Sequence, residues 1–226
     1  MLLVKDIRKL FRDEYKLNRI RNGTVELQGV SFKADLSSIF GIPNRYYIDA
    51  ELKWYISKDR KVQKLFDIYG KTVEIWNNVK DIHGEVNSNY GWCIFSDERG
   101  NQFRAACKAL LKDNNTRQSI MIYTTPDMHK IAGKDFTCTN AQQFFIKENK
   151  LHTVVQMRSQ DAVYGYNNDI AWFKYVHAAM LNNLFKIKNL KLGDVIMQIG
   201  SLHVYERHFK YLEDNNKQLA LNLGEQ

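Results

Sequence analysis

Several side chains in this 226-residue sequence are of types that do chemistry, and each has a bland reading beside the reactive one. Cys138 lies between Thr137 and Thr139, just ahead of an apolar run. A thiolate there would be a nucleophile if nearby arginines drew its pKa down from ~8.5. A lone cysteine is otherwise a small buried hydrophobe, the reading that Cys93 and Cys107 keep. Arg158-Ser159 offers a guanidinium fork and a hydroxyl, a pairing suited to phosphate but uninformative as a bare dipeptide. Glu51 falls within a largely apolar helical stretch, where it is either a solvated face residue or a buried general base with a raised pKa. Asp169 is expected to open a helix, where an N-cap or first-turn acid is the ordinary reading. His203 and Tyr205 share one face of a strand and could reach a single ligand, or simply make that face polar. No GxGxxG, Walker A, HExxH or serine elbow occurs, so dinucleotide, ATP and zincin sites lack their signatures.

The elements that must position these groups are legible in the pattern. Residues 24–34 alternate apolar and polar and predict a strand, with Gly29 as a bend or bulge. After Pro43-Asn44, the spacing of Tyr47, Ala50, Leu52 and Tyr55 predicts the helix that carries Glu51. Residues 87–95 read as a loop leading into ordered structure, 102–112 as a helix and 119–123 as a buried strand. Residues 142–158 read as two strands joined at Glu148-Asn149-Lys150. A strong helix is expected over 169–184, with Ile170, Phe173, Val176, Met180 and Leu184 on one face, then a strand over 195–204 and a short helix. Strands and helices mix without a βαβ rhythm, which suggests an α+β fold. With no repeat and no Pro-, Gly- or Ser-rich linker, residues 1–226 read as a single domain.

Composition narrows the class. The chain is 44% apolar, too hydrophobic for disorder, yet no apolar run approaches the ~20 residues of a membrane helix. Its start, MLLVKDIRKLF, reaches a charge at Lys5 and reads as an amphipathic helix rather than a secretory signal. Three cysteines without a CxxC pair argue against a disulfide framework or a cysteine zinc site and suit a reducing, cytoplasmic setting. The net charge of +8 invites either nucleic acid or a small anionic substrate such as a phosphate ester. Lys and Arg are scattered, and no zinc-finger or RRM pattern accompanies them.

Taken together, these residues resemble the thymidylate synthase family in order and spacing. The resemblance runs through Cys138, Gln143-Phe144, the hairpin, Arg158-Ser159-Gln160-Asp161, Gly165, Asp169-Ile170-Ala171 and His203-Val204-Tyr205. Upstream, AELKWY resembles the segment with the family's catalytic glutamate, IWNNV its tryptophan segment and NYGW its tyrosine-glycine loop. The resemblance implies a large mixed β-sheet flanked by helices, with sheets packed back to back in a homodimer. It also implies catalytic roles for Cys138, Glu51, Asp169 and Tyr90. Substrate contacts would come from Arg19, Arg117, Arg158, Ser159, Asn168, His203 and Tyr205, with Arg117 reaching the partner's phosphate site. Trp76, Asp161 and Gly165 would face 5,10-methylenetetrahydrofolate, and no metal is implied.

Within the family, GEVNSNYGW, IMIYTTP, CTNAQQF, MRSQDAVYGYNNDIAWFKYV and GSLHVYERHF resemble the phage deoxycytidylate hydroxymethylases. Asp169 stands where the synthases carry asparagine. An asparagine amide matches uracil, which accepts at O4 and donates at N3. Cytosine reverses both, and an aspartate that shares a proton with N3 and accepts from the amino group fits it. A mismatched polar site can discriminate by ~10⁴. The resemblance therefore implies dCMP as substrate and a hydroxymethyl product. A dCMP methylase, a CMP or dUMP hydroxymethylase and a basic nucleic-acid-binding domain are the alternatives. Thr137 and Thr139 replace a proline and a histidine of the synthases, Gln118 follows Arg117 in place of a second arginine, and residues 219–226, LALNLGEQ, do not resemble the synthases' apolar tail.

Overall fold

The computed structural model describes residues 1–129 and 135–213; the tail over 219–226 lies outside the described residues. The elements run β1 (Leu2–Leu3), α1 (Val4–Lys16), β2 (Ile20–Arg21), β3 (Thr24–Lys33), α2 (Arg45–Ser57), α3 (Val62–Tyr69), α4 (Glu74–Val79), α5 (Tyr90–Phe95) and α6 (Gln102–Lys112). They continue with β4 (Ile120–Ile122), β5 (Thr139–Lys147), β6 (Lys150–Asp161), α7 (Tyr164–Asn183), β7 (Lys191–Tyr205) and α8 (Lys210–Glu213). Among the described residues, no helix is long and apolar enough to cross a membrane.

The strands make one mixed sheet in the order β1-β3-β7-β6-β5-β4, with β2 on β3. Two tight turns set its registers. Asn22-Gly23 joins β2 to β3 and Glu148-Asn149 joins β5 to β6, all four residues having positive φ, as the right-handed twist of a two-residue hairpin demands. β6 and β7 are parallel and joined through α7. This is a βαβ unit where none was expected: a single crossover produces no repeating rhythm to read. The buried face of α7, with Ile170, Phe173, Val176 and Met180, and Leu184 just past its end, packs in one core with Phe144, Val155 and Met197 of the sheet. Burying each such side chain contributes about 1.5–3 kcal/mol.

One rung of this sheet governs the site. Along β7 the buried residues are Val195, Met197 and Ile199, then Leu202 and Val204; along β6 they are Leu151, Thr153, Val155 and Met157, then Gln160. The inward set thus changes parity in both strands at the same level. There Gly200 stands between Gly29 and Arg158, and a Cβ on Gly200 would lie 2.8 Å from the Arg158 carbonyl oxygen. Gly29 itself takes φ +63°, a bend in a register that runs through without a bulge. Under strict alternation Gln160 would share the outer face with Val154 and Gln156. The kink turns it inward, towards α7.

Candidate active site

Cys138 sits half-buried at the entry to β5, where its carbonyl oxygen accepts from the Arg158 backbone N–H at 2.9 Å. The Arg158 guanidinium reaches back over the same segment. It donates to the carbonyls of Phe136 (2.6 Å) and Thr137 (3.2 Å) and lies 3.5 Å from the Cys138 sulfur. The expectation that arginine would lower this thiol's pKa holds in sign for Arg158 but not in net effect. Burial dominates and pushes the thiol up, and Asp169 and Asp135 add to it, so Arg158 offsets only part of the rise.

Asp169 does not open its helix. α7 begins at Tyr164, where the Asp161 carboxylate, two residues ahead of the N-cap Val163, accepts from the backbone N–H groups of Val163 (2.9 Å) and Tyr164 (3.4 Å). Asp169 lies in the second turn, half-buried. Burial of its carboxyl group and the charge of Glu51 push its pKa up to about 8, against hydrogen bonds from Gln160 and Tyr90. Gln160 Nε2 donates to Asp169 Oδ2 at 3.1 Å. On the other side, Thr139 Oγ1 donates to the Tyr90 hydroxyl at 2.9 Å, and Tyr90 in turn bonds Asp169. Tyr90 is delivered by α5, whose cap Asn89 ties it to α2 through the carbonyls of Trp54 and Asp59. Gly91 makes that approach possible, since a Cβ there would fall 1.7 Å from the Tyr55 carbonyl oxygen.

Glu51 is buried, and of its two sequence readings the buried acid is the one realised. Its Oε1 accepts from the Tyr47 hydroxyl at 2.6 Å and from Trp76 Nε1 at 3.3 Å, and Trp76 Nε1 also donates to Tyr47 at 2.8 Å. Burial raises the carboxyl to about 7 while these two donors pull it down. Asn44 caps α2 and so sets the register that points Tyr47 and Glu51, four residues apart, to one side. Two acids titrating near neutrality, beside a thiol, can hold and move protons at neutral pH.

The remaining expected residues spread around this centre. Ser159 is half-buried on β6 opposite Ser201, and Asn168 is half-buried beside Asp169. Gly165 packs against Asp161, where a Cβ would meet the Asp161 Cβ at 3.3 Å. His203 stands opposite Asp161 in the β6–β7 register, its ring 4.8 Å from that of Tyr205. Trp76 is half-exposed on α4. Arg19 is exposed and paired with Glu14 at 2.9 Å, and Arg117 is exposed ahead of β4. The structure therefore brings together Cys138, Arg158, Asp169, Tyr90, Glu51 and Trp76, and leaves Arg19 and Arg117 outside their hydrogen bonds. Sequence reading missed Tyr47, Thr139 and Gln160 as site residues. The i−4 spacing of Tyr47 from Glu51 was a usable signal; Gln160 gave none, since its inward turn depends on the kink.

The family model described as thymidylate synthase matches residues 3–222. The chain is 44% identical over 199 residues to the deoxycytidylate 5-hydroxymethyltransferase of Enterobacteria phage T4, covering 85% of this chain and 79% of that protein. It is 25% identical over 210 residues to a thymidylate synthase of Vesicomyosocius okutanii subsp. Calyptogena okutanii, covering 88% and 76%. Its fold is similar to that of the thermostable thymidylate synthase A from Bacillus subtilis, with a TM-score of 0.68 at 21% identity over 93% of this chain and 83% of that one. A match over nearly the whole length settles the assignment: the chain belongs to the thymidylate synthase family.

Proposed function

We propose that this protein transfers a one-carbon unit to C5 of dCMP and completes the reaction with water, giving 5-hydroxymethyl-dCMP. The observation that carries this reading is Asp169. A carboxyl group raised to about 8 keeps its proton at neutral pH, and so offers one donor and one acceptor to the N3 and amino group of cytosine. The similarity to the phage T4 deoxycytidylate 5-hydroxymethyltransferase supports the same choice.

In this reading Cys138 adds to C6 of the pyrimidine as a thiolate, and Arg158, 3.5 Å from the sulfur, stabilises the charge. Asp169 gives its proton towards N3 as electron density moves into the ring, which makes C5 nucleophilic. 5,10-Methylenetetrahydrofolate, when bound, supplies the one-carbon unit. The residues fit such a ligand. The Trp76 ring is half-exposed while its N–H is turned inward on Tyr47 and Glu51, so the ring can pack on a flat heterocycle; Asp161 and Gly165 serve the pterin side. Glu51, with Tyr90 nearby, removes the C5 proton through water, the bond from the one-carbon unit to the folate nitrogen breaks with tetrahydrofolate as the leaving group, and Glu51 then activates the water that completes the hydroxymethyl group. The Cys138–C6 bond breaks last, which restores the pyrimidine and frees the thiolate. Admission of water is what separates this outcome from methylation, which needs a dry site and hydride transfer.

Arg158, Ser159 and Arg19 hold the phosphate, Asn168 contacts the base, and His203 and Tyr205 hold the sugar. Arg117 reaches the phosphate of a partner subunit. The outer sheet face, with Ile120 and Ile122 exposed on β4 and Val154 and Gln156 across β5 from them, supports back-to-back pairing in a homodimer. Residues 1–226 work as one cytoplasmic catalytic domain, without a metal and without binding nucleic acid directly. The test is kcat/KM for dCMP and dUMP in the parent and in Asp169→Asn. The parent should favour dCMP and the variant should shift towards dUMP; an unchanged ratio would place base recognition elsewhere.

A further inference from the structure

Base recognition by a carboxylic acid leaves a difficulty that the Asp169 side chain cannot resolve alone. Either oxygen of a carboxyl group can carry the proton. With the proton on one oxygen the group complements cytosine; with it on the other, it complements uracil equally well. Some neighbour has to break that symmetry. Tyr90 is the weaker candidate, because its hydroxyl, although it donates to Asp169 here, can also rotate to accept.

Gln160 is the stronger one: in the orientation its amide takes here, Nε2 faces Asp169 Oδ2 at 3.1 Å, and Nε2 is a donor with no capacity to accept. Gln160 is only 3% exposed, and its Oε1 is buried without a hydrogen-bond partner among the described residues. An orphaned buried carbonyl is costly, and methionine or leucine would fill the same space without that cost. The glutamine therefore owes its place to the bond it makes with Asp169.

Resting on the dCMP reading above, we infer that Gln160 is a specificity-determining residue: its N–H holds Asp169 Oδ2 as the acceptor facing the cytosine amino group and so assigns the proton to Oδ1, facing N3. Uracil would require the proton on Oδ2, where it would meet the Gln160 N–H donor to donor. Removal of one such buried mismatch is a change of about ten- to a hundredfold in discrimination.

The test is Gln160→Met, which keeps side-chain length and burial but removes the donor. Steady-state kcat/KM is measured for dCMP and dUMP with methylenetetrahydrofolate, alongside nucleotide binding by calorimetry. The expected result is a fall of about tenfold or more in the dCMP/dUMP ratio of both quantities, with dUMP gaining. Calorimetric binding of dCMP is also followed against pH. Loss of the Gln160 bond lets Asp169 hold its proton longer, so the alkaline fall in affinity should move to higher pH, which a packing role would not cause. Gln160→Asn, whose shorter side chain withdraws the N–H, should shift both readouts the same way. An unchanged ratio in folded variants of a parent that prefers dCMP, or equal losses for both nucleotides, would overturn the inference alone. A parent that does not act on dCMP would overturn the functional reading and this inference with it.

Discussion

Replacing Tyr47 with phenylalanine tests how the buried acid is tuned. Tyr47 donates to Glu51 Oε1 at 2.6 Å and accepts from Trp76 Nε1 at 2.8 Å. A hydrogen bond to a carboxylate is worth about 1.5–3 kcal/mol. In the variant, the Trp76 N–H, already 3.3 Å from Oε1, is released from Tyr47 and recovers part of that. A net loss near the lower end, about 1.4 kcal/mol, moves the ionisation of Glu51 up by about one pH unit. Glu51 lies at about 7 in the parent, so at pH 7 roughly half of it is ionised. In the variant that fraction drops to roughly a tenth, and the rate at pH 7 should fall about fivefold.

The assay is kcat/KM for product formation as a function of pH. The parent should give a bell, its acid limb set by Glu51 losing a proton and its alkaline limb by Asp169 losing the proton that reads cytosine. Tyr47→Phe should move the acid limb upward, leave the alkaline limb in place, and show a deficit that shrinks as pH rises. A uniform loss at every pH, with both limbs unmoved, would refute the argument and leave Tyr47 a packing role.

Two other perturbations probe the same centre. Arg158→Ala should slow alkylation of Cys138 by iodoacetamide about fivefold at pH 8, from about 1 kcal/mol of charge stabilisation at an exposed guanidinium, and Arg158→Lys should restore it; peptide mass spectrometry reads the site, and an unchanged rate would contradict the pairing. Asp169 holds its proton in the folded protein where the unfolded chain has lost it, so its contribution is intact below about pH 4 and is lost as pH rises towards 8. Asp169→Asn should therefore match the parent near pH 4 and melt roughly ten degrees higher at pH 8, by on the order of 5 kcal/mol; calorimetry giving the opposite trend would contradict the burial of this acid.

What was readable in the sequence followed from local rules. The helix over 102–112 and the hairpin at 148–150 appear where apolar spacing and turn residues put them. The buried face of α7 was likewise visible in its 3.6-residue period, but its start was not. Gly165 and the paired asparagines 167 and 168 look like a loop, and only the fold shows Asp161 accepting from the first backbone N–H groups there. Glu51 and Cys138 were legible as residue types, whereas their electrostatics were not. Burial outweighs Arg158 at the thiol and outweighs two donors at Glu51, and burial is a property of packing rather than of spacing. Gln160 was hidden most completely. Its role depends on a parity change produced jointly by three strands that are distant in sequence, around Gly29, Arg158 and Gly200.

The central claim, one-carbon transfer to dCMP completed by water, is tested most directly by incubating the purified protein with dCMP and 5,10-methylenetetrahydrofolate. The mass of the nucleotide product is measured while dihydrofolate absorbance is followed. The account predicts 5-hydroxymethyl-dCMP with no dihydrofolate formed. A methylated nucleotide with stoichiometric dihydrofolate, or turnover of dUMP and none of dCMP, would contradict it.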